Sequence, residues 1–268
     1  MGEKRAIVVV SFGTTYIDAL KTCIEPIEKA IAESFTSYAV YRAFTSVFVR
    51  GRLAQSGIAS DSLPEVLERL CREGYEKVVV VPTHIIEGEE YRNKVSMVAE
   101  EYRPRFARLV VGRPLLSCCD EKNCPIDYRD IVEALWLQFP PLESDEVIVL
   151  MGHGSNCAQV SVYPCLQETF DACGLNVLVG VMEKGDLLSL DYVMKRIRAM
   201  GNVKKVYLVP FLLVAGCHVE KDMTGDDSWQ MQLQDAGYQV ISYLHGLGEN
   251  EAIRALYVKR VRELLCQK

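Results

Sequence analysis

The sequence predicts an α/β protein made of two similar halves, each a four-stranded parallel sheet flanked by helices, with a cleft between them. Three observations lead there. Short, β-branched apolar runs alternate with longer amphipathic stretches, the first half of the chain echoes the second, and 268 residues suit two lobes of that kind. The clearest strand candidates are AIVVV (6–10), KVVVV (77–81), RLVV (108–111), EVIVL (146–150), VLVGV (177–181) and KVYLV (205–209). Runs this short and this apolar suit strands buried on both faces of a parallel sheet. YAVYRAF (38–44) and YQVISYL (238–244) complete four strands per half.

The helices announce themselves by their ends. SLPEVLERLCREG pairs Ser62 with Glu65 in a capping box, carries Pro64 in its first turn and closes on Gly74. LLSLDYVMKRIRAMG closes on Gly201 in the same way, and ENEAIRALYVKRVRELL (249–265) has an apolar stripe at helical spacing. The helix after the first strand contains Pro26, which is expected to kink or split it.

Internal repetition sets the domain expectation. IVVVSFGTT lines up with VIVLMGHGSN, placing Phe12 opposite His153 and Gly13 opposite Gly154. EGYEKVVVVPTHIIEGEEY lines up with GNVKKVYLVPFLLVAGCHV, matching Pro82 with Pro210, Gly88 with Gly216 and Glu90 with His218. The expected lobes are 1–140 and 145–268, joined by the proline-containing FPPLESDE (139–146), with helix 249–265 packing across them.

Composition excludes several classes. The net charge is −6, so nucleic acid is not an expected partner. No run reads as a signal h-region or a membrane span, so a cytoplasmic protein with reduced cysteines and no membrane partner is expected. Of ten cysteines only SCCDEKNCP (Cys118, Cys119, Cys124) forms a cluster, and its spacing matches no common zinc or redox signature. GxGxxG, GxxxxGK[ST] and GxSxG are absent, which removes the usual dinucleotide, P-loop and hydrolase signatures.

The remaining chemistry is carried by four histidines, His84, His153, His218 and His245, each expected just beyond a strand's carboxyl end. His153 sits between two glycines. His218 follows the apolar run VPFLLVAGC, which is expected to stay buried and to set the imidazole in a low-dielectric pocket. Glu183, two residues past VLVGV, is expected on the same rim, although it could equally cap the next helix or pair with Lys184. Two imidazoles and a carboxylate make an open divalent-metal site, yet the spacing 153, 183, 218 is no specific signature. The SFGTT turn could hold an anion on its amides.

Against this background VVVSFGTTY (8–16), YRAFTS (41–46), HIIEGEEY (84–91), RPLLS (113–117), VLMGHGSN (149–156), VPFLLVAGCHVEKDM (209–223), DDSWQM (226–231) and GLGENEAIRA (246–255) carry a resemblance. In order and from end to end, they make the chain similar to the class II tetrapyrrole chelatases, nearest to the cobalt-inserting enzymes of the anaerobic pathway. The resemblance implies two flavodoxin-like half-domains. It implies insertion of Co2+, as substrate metal, into sirohydrochlorin or its reduced precursor precorrin-2, in cobalamin biosynthesis, with no organic cofactor. His153, Glu183 and His218 would be its metal-binding and catalytic residues, with Ser11, Phe12, Gly13, Thr14 and Glu90 as substrate contacts. Arg50, Arg52 and Arg113 are candidate partners for the acidic tetrapyrrole's carboxylates. Iron insertion for sirohaem, a non-catalytic metal or haem carrier, and a homo-oligomeric assembly stay open.

Overall fold

The computed structural model describes residues 3–117, 126–154, 162–183, 187–216 and 219–266. The chain divides into two compact units, 1–117 with 251–268, and 118–250.

Unit 1 runs β1 (Arg5–Ser11), α1 (Ile17–Ala19), α2 (Glu25–Ser34), β2 (Ala39–Phe44), α3 (Val47–Gln55), α4 (Leu63–Arg72), β3 (Lys77–Pro82), α5 (Glu89–Tyr91), α6 (Met97–Tyr102) and β4 (Arg108–Val111). Its strands are all parallel, in the order β2-β1-β3-β4. Ala6 to Ser11 in central β1 and Val78 to Pro82 in β3 are buried, as continuous apolar runs covered on both faces must be. One face packs Ala6, Val8, Val10, Val78 and Val80 against Leu63, Val66, Leu67 and Leu70 of α4 and against Val95 and Ala99. The α4 capping box forms: Glu65 takes the Ser62 N–H at 2.6 Å and Ser62 takes the Glu65 N–H at 3.4 Å.

Unit 2 runs α7 (Ile126–Trp136), β5 (Glu146–Gly152), α8 (Val162–Ala172), β6 (Val177–Val181), α9 (Leu190–Met200), β7 (Lys205–Pro210), α10 (Trp229–Asp235) and β8 (Gln239–Ser242). Its sheet is also parallel, in the matching order β6-β5-β7-β8. The expected eight strands are present, four per unit. The repeat extends to details. Pro82 and Pro210 both end a strand, and the next N–H, of Thr83 or Phe211, continues the ladder to the central strand at 2.8 Å. A π-helical segment recurs as well, at Arg92–Ser96 and Val219–Met223.

Two expectations take a form that the sequence did not show. At Pro26 the helix changes type. A π-helical stretch, Leu20–Ile24, precedes it and continues into α2, where Pro26 occupies the first turn and needs no N–H partner. The boundary between units also lies elsewhere. FPPLESDE connects α7 to β5 within unit 2, because α7 packs on α8 and Asn250 donates to Ala134 O at 3.0 Å. The last helix, α11 (Glu251–Cys266), belongs to unit 1, where it packs on α2 and β3.

The hold of α11 is polar as well as apolar. Tyr257, fully buried, donates to Thr83 O at 3.0 Å. Arg260 donates to Pro114 O and, at 2.5 Å, to Leu115 O. Among the described residues no helix is long and apolar enough to cross a membrane, and Cys23, Cys71, Cys165, Cys173 and Cys266 form no disulfide. The Cys118–Cys124 cluster lies outside the described residues.

Replacing Arg260 with Leu leaves two buried carbonyls without a charged donor. It is expected to lower unfolding free energy by roughly 2–4 kcal/mol, read from urea denaturation midpoints. A loss under about 0.5 kcal/mol would show that α11 is held by its apolar stripe alone.

Candidate functional site

In unit 2 the site begins where β5 ends. Gly152 closes the strand, His153 stands exposed just beyond it, and Gly154 turns the chain with φ +97°. An L side chain rarely adopts that angle. Space enforces the same choice: a Cβ on Gly154 would lie 2.6 Å from Glu183 Cβ and 3.0 Å from Glu183 Oε2. A Cβ on Gly152 would lie 2.5 Å from the Tyr163 ring. The two glycines therefore let the histidine turn lie directly on Glu183 and Tyr163. Tyr163 is itself buried, accepts the Gly154 N–H at 3.4 Å and meets Phe211 edge-on at 6.4 Å.

Glu183 is placed by edge strand β6. The Met182 N–H donates to Gly152 O at 2.9 Å, which carries the ladder one step past the strand, and half-buried Glu183 follows. Gln167 of α8 fixes the start of that strand, donating to Val177 O at 2.9 Å and accepting from Val179 N at 2.7 Å. The next helix, α9, has Ser189 as its N-cap residue, so capping is not Glu183's role. Lys184 lies outside the described residues.

His218 also lies outside the described residues. The run leading to it is only partly as expected. Val209 and Phe211 are buried, but Leu212 to Gly216 are half-exposed, because the strand has ended and the loop has left the sheet. Among the described residues no three His, Cys, Asp or Glu side chains gather into a metal-holding group. The structure thus brings Glu183 against the His153 turn and leaves the third member to the sequence.

The corresponding rim of unit 1 has the same backbone and different side chains. Gly13 takes φ +94°, and a Cβ there would meet Phe44 and Val49 at 3.0 Å. Phe12, matched to His153, is 53% exposed. The ladders set Ser11 opposite Phe44 and Gly152 opposite Val181, which puts Ser46 at the position of Glu183. Ser46 caps α3 by accepting the Val49 N–H. Ser11 is buried and accepts a 2.8 Å bond from Thr83, and buried Thr14 accepts the Tyr16 N–H at 3.1 Å. These hydroxyls hold the turn in shape. Glu90 is half-buried in α5.

The other two histidines separate clearly. His245 is exposed and bonded at 2.6 Å to Glu249. His84 has both ring nitrogens buried and unpartnered, edge-on to Tyr91 at 6.1 Å, and burial pushes its pKa down to about 4. Nothing in the sequence of HIIEGEEY marked that histidine as neutral and enclosed.

The family model described as cobalt chelatase (CbiK) matches residues 5–265. The sirohydrochlorin cobaltochelatase of Salmonella typhimurium is 37% identical over 265 residues, covering 98% of this chain and 97% of the relative. The sirohydrochlorin cobaltochelatase CbiKC of Nitratidesulfovibrio vulgaris is 32% identical over 252 residues, covering 92% and 86%. Among solved structures, SirB from Bacillus subtilis with Fe3+ superposes with a TM-score of 0.64 at 16% identity, covering 98% of this chain and 96% of that one. That last likeness speaks for the fold.

Two outcomes are expected here. Gly154→Ala forces both a strained φ and a clash, and should cost about 2 kcal/mol or more of stability, whereas Gly174→Ala, also at positive φ but with open space, should cost about 1. Equal losses in thermal melts would remove the Glu183 contact as the cause. For His84 the unfolded imidazole takes its proton near pH 6.5 and the folded one only near 4, so stability falls as pH drops through that window. Between pH 7 and 4.5 the parent should lose about 2 kcal/mol more than His84→Leu in urea titrations. Parallel losses would contradict a buried neutral imidazole.

Proposed function

This chain belongs to the cobalt chelatase (CbiK) family, and from that premise we propose that it inserts Co2+ into sirohydrochlorin, with His153, Glu183 and His218 handling the metal. The observation that carries the residue assignment is the seating of the His153 turn on Glu183, where two glycines are required and a carboxylate and an imidazole share one rim. His218 enters through the sequence match of its LVAGCH segment.

The reaction asks two things of the protein. A divalent metal must be held firmly enough to be oriented and loosely enough to be given up. Two pyrrole N–H protons must leave as the metal enters, so the balance is sirohydrochlorin plus Co2+ giving the cobalt complex and two protons. Neutral imidazoles and one carboxylate suit both tasks, being borderline ligands that leave coordination positions open and being able to accept protons. Glu183 offsets the metal's charge before transfer and offers a path for a proton afterwards. Phe12, Gly13 and Glu90 contribute substrate contacts on unit 1, with Ser11 and Thr14 acting through the shape of the turn. The same donors would accept the reduced precursor precorrin-2, since the pyrrole chemistry is shared.

The test is direct. Sirohydrochlorin and Co2+ are mixed with purified protein, and metallation is followed through the tetrapyrrole absorption bands. The parent should exceed the uncatalysed rate, and His153→Ala and Glu183→Ala should each fall by about 100-fold or more. No acceleration by the parent would leave a carrier rather than an enzyme. Faster anaerobic insertion of Fe2+ than of Co2+ would move the assignment to sirohaem. Full activity in both variants would refute the residue assignment alone.

A further inference from the structure

We propose that Glu249 is a positioning residue for the metal donors of unit 2, acting through a buried backbone strut that it fastens between the loops after β8 and β7. The proposal rests on the chelatase reading and adds a residue to which that reading gives no part.

The strut begins as a short helical turn. After β8 the chain makes a single 3₁₀ turn, Leu247–Glu249. The first N–H groups of such a turn have no carbonyl within it to bond. Here the Leu247 N–H donates to Leu212 O at 2.8 Å and the Gly248 N–H to Leu213 O at 3.0 Å. Gly246, Leu247 and Gly248 are buried, so without these bonds the donors would stand unsatisfied away from water. The Glu249 carboxylate fixes where the turn starts. One of its oxygens accepts the Gly246 N–H at 3.2 Å, and the other is bonded to His245 Nδ1 at 2.6 Å.

The carbonyls that the strut grips follow directly on Phe211. That residue is buried and donates its N–H to Met151 O of β5 at 2.8 Å. Its ring supports Tyr163, whose hydroxyl accepts the Gly154 N–H in the His153 turn. In sequence the same segment leads on to His218. Glu249 thus reaches the donors through the backbone. His245 is its rival for a role, since a carboxylate behind an imidazole is also how metal ligands are oriented. Among the described residues, however, no group of three metal-binding side chains forms around it.

Unit 1 has the same strut and fastens it differently. The Leu115 N–H donates to His84 O at 2.8 Å and the Leu116 N–H to Ile85 O at 2.7 Å. Matching Pro82 with Pro210 makes His84 and Ile85 the counterparts of Leu212 and Leu213. There the clamp is Arg260, which donates to the carbonyls of Pro114 and Leu115. Two side chains of opposite charge serve one backbone arrangement, and only the strut of unit 2 leads to the metal donors.

The experiment follows Co2+ binding to the full chain through the d–d absorption bands, beside KM for Co2+ and for sirohydrochlorin. Glu249→Ala should raise Kd and KM for Co2+ about tenfold and shift the bands, with KM for sirohydrochlorin at the parent value. Glu249→Gln keeps an acceptor for the Gly246 N–H and should stay within about threefold of the parent. Arg260→Leu loosens the strut of unit 1, and should lose stability while keeping the parent's Co2+ affinity. Circular dichroism checks that each variant folds. Parent-like Co2+ affinity and bands in Glu249→Ala, with His153→Ala still weakening Co2+ binding, would overturn the proposal and leave the chelatase reading intact. So would an equal loss of affinity in Arg260→Leu, which would make the effect one of stability alone. A larger loss in His245→Ala than in Glu249→Ala would overturn it too, by making His245 a ligand. Unchanged Co2+ affinity in His153→Ala as well would remove the residue assignment and this proposal with it.

Discussion

Where β5 ends, the backbone must turn within one residue while the Glu183 side chain occupies the space a Cβ would need. Only glycine satisfies both demands at 154, and the rest of the site follows from that constraint. The turn throws the His153 side chain clear of the sheet and keeps its backbone on the end of β6. The same geometry at Gly13, with φ +94° against +97°, shows that the turn belongs to the duplicated fold rather than to one chemistry. What differs is the residue before the glycine and the residue two steps past the neighbouring strand: Phe12 and Ser46 in one unit, His153 and Glu183 in the other.

The scaffold under these turns is rigid for identifiable reasons. Each unit has a parallel sheet whose central strand is buried along its length, and the ladders continue past Pro82 and Pro210 through the following N–H. Both prolines close their strand, so the sheet loses no interior ladder bond to the missing donor. Edge strand β6 is steadied by Gln167, so Glu183 stands on a fixed element although it lies beyond the last paired residue. His84 is the exception to this order, a ring with two buried nitrogens and no partner, held neutral by its surroundings. Such groups are uncommon in folded proteins.

Much of the fold could be read in the sequence because its signals are local. Valine-rich runs of four or five residues can hardly be anything but buried strands, and the paired anchors around Pro82 and Pro210 made the duplication visible. The unit boundary was not legible, since it depends on α7 packing on α8 and on α11 returning to α2 and β3, contacts far apart in the chain. The π-helical stretch before Pro26 was hidden for a similar reason: proline signals a problem for a helix, and the sequence does not say how the helix resolves it. In the candidate site, residue types and strand-end positions pointed to His153 and Glu183, and the family resemblance gave them a role. Pairing was invisible. Arg50, Arg52 and Arg113 look alike as letters, and only tertiary structure separates the two with a glutamate nearby from the one stacked on Phe48.

The central claim is that unit 2 presents a nitrogen and oxygen donor set to the metal, despite a cysteine beside His218 and a three-cysteine cluster elsewhere in the chain. Cobalt K-edge X-ray absorption on the protein loaded with one equivalent of Co2+, without tetrapyrrole, reads those donors directly. The account predicts a light-atom shell near about 2.1 Å with outer-shell scattering from imidazole, by analogy with zinc–histidine distances. A sulfur shell near about 2.3 Å, or a light-atom shell lacking the imidazole pattern, would contradict it.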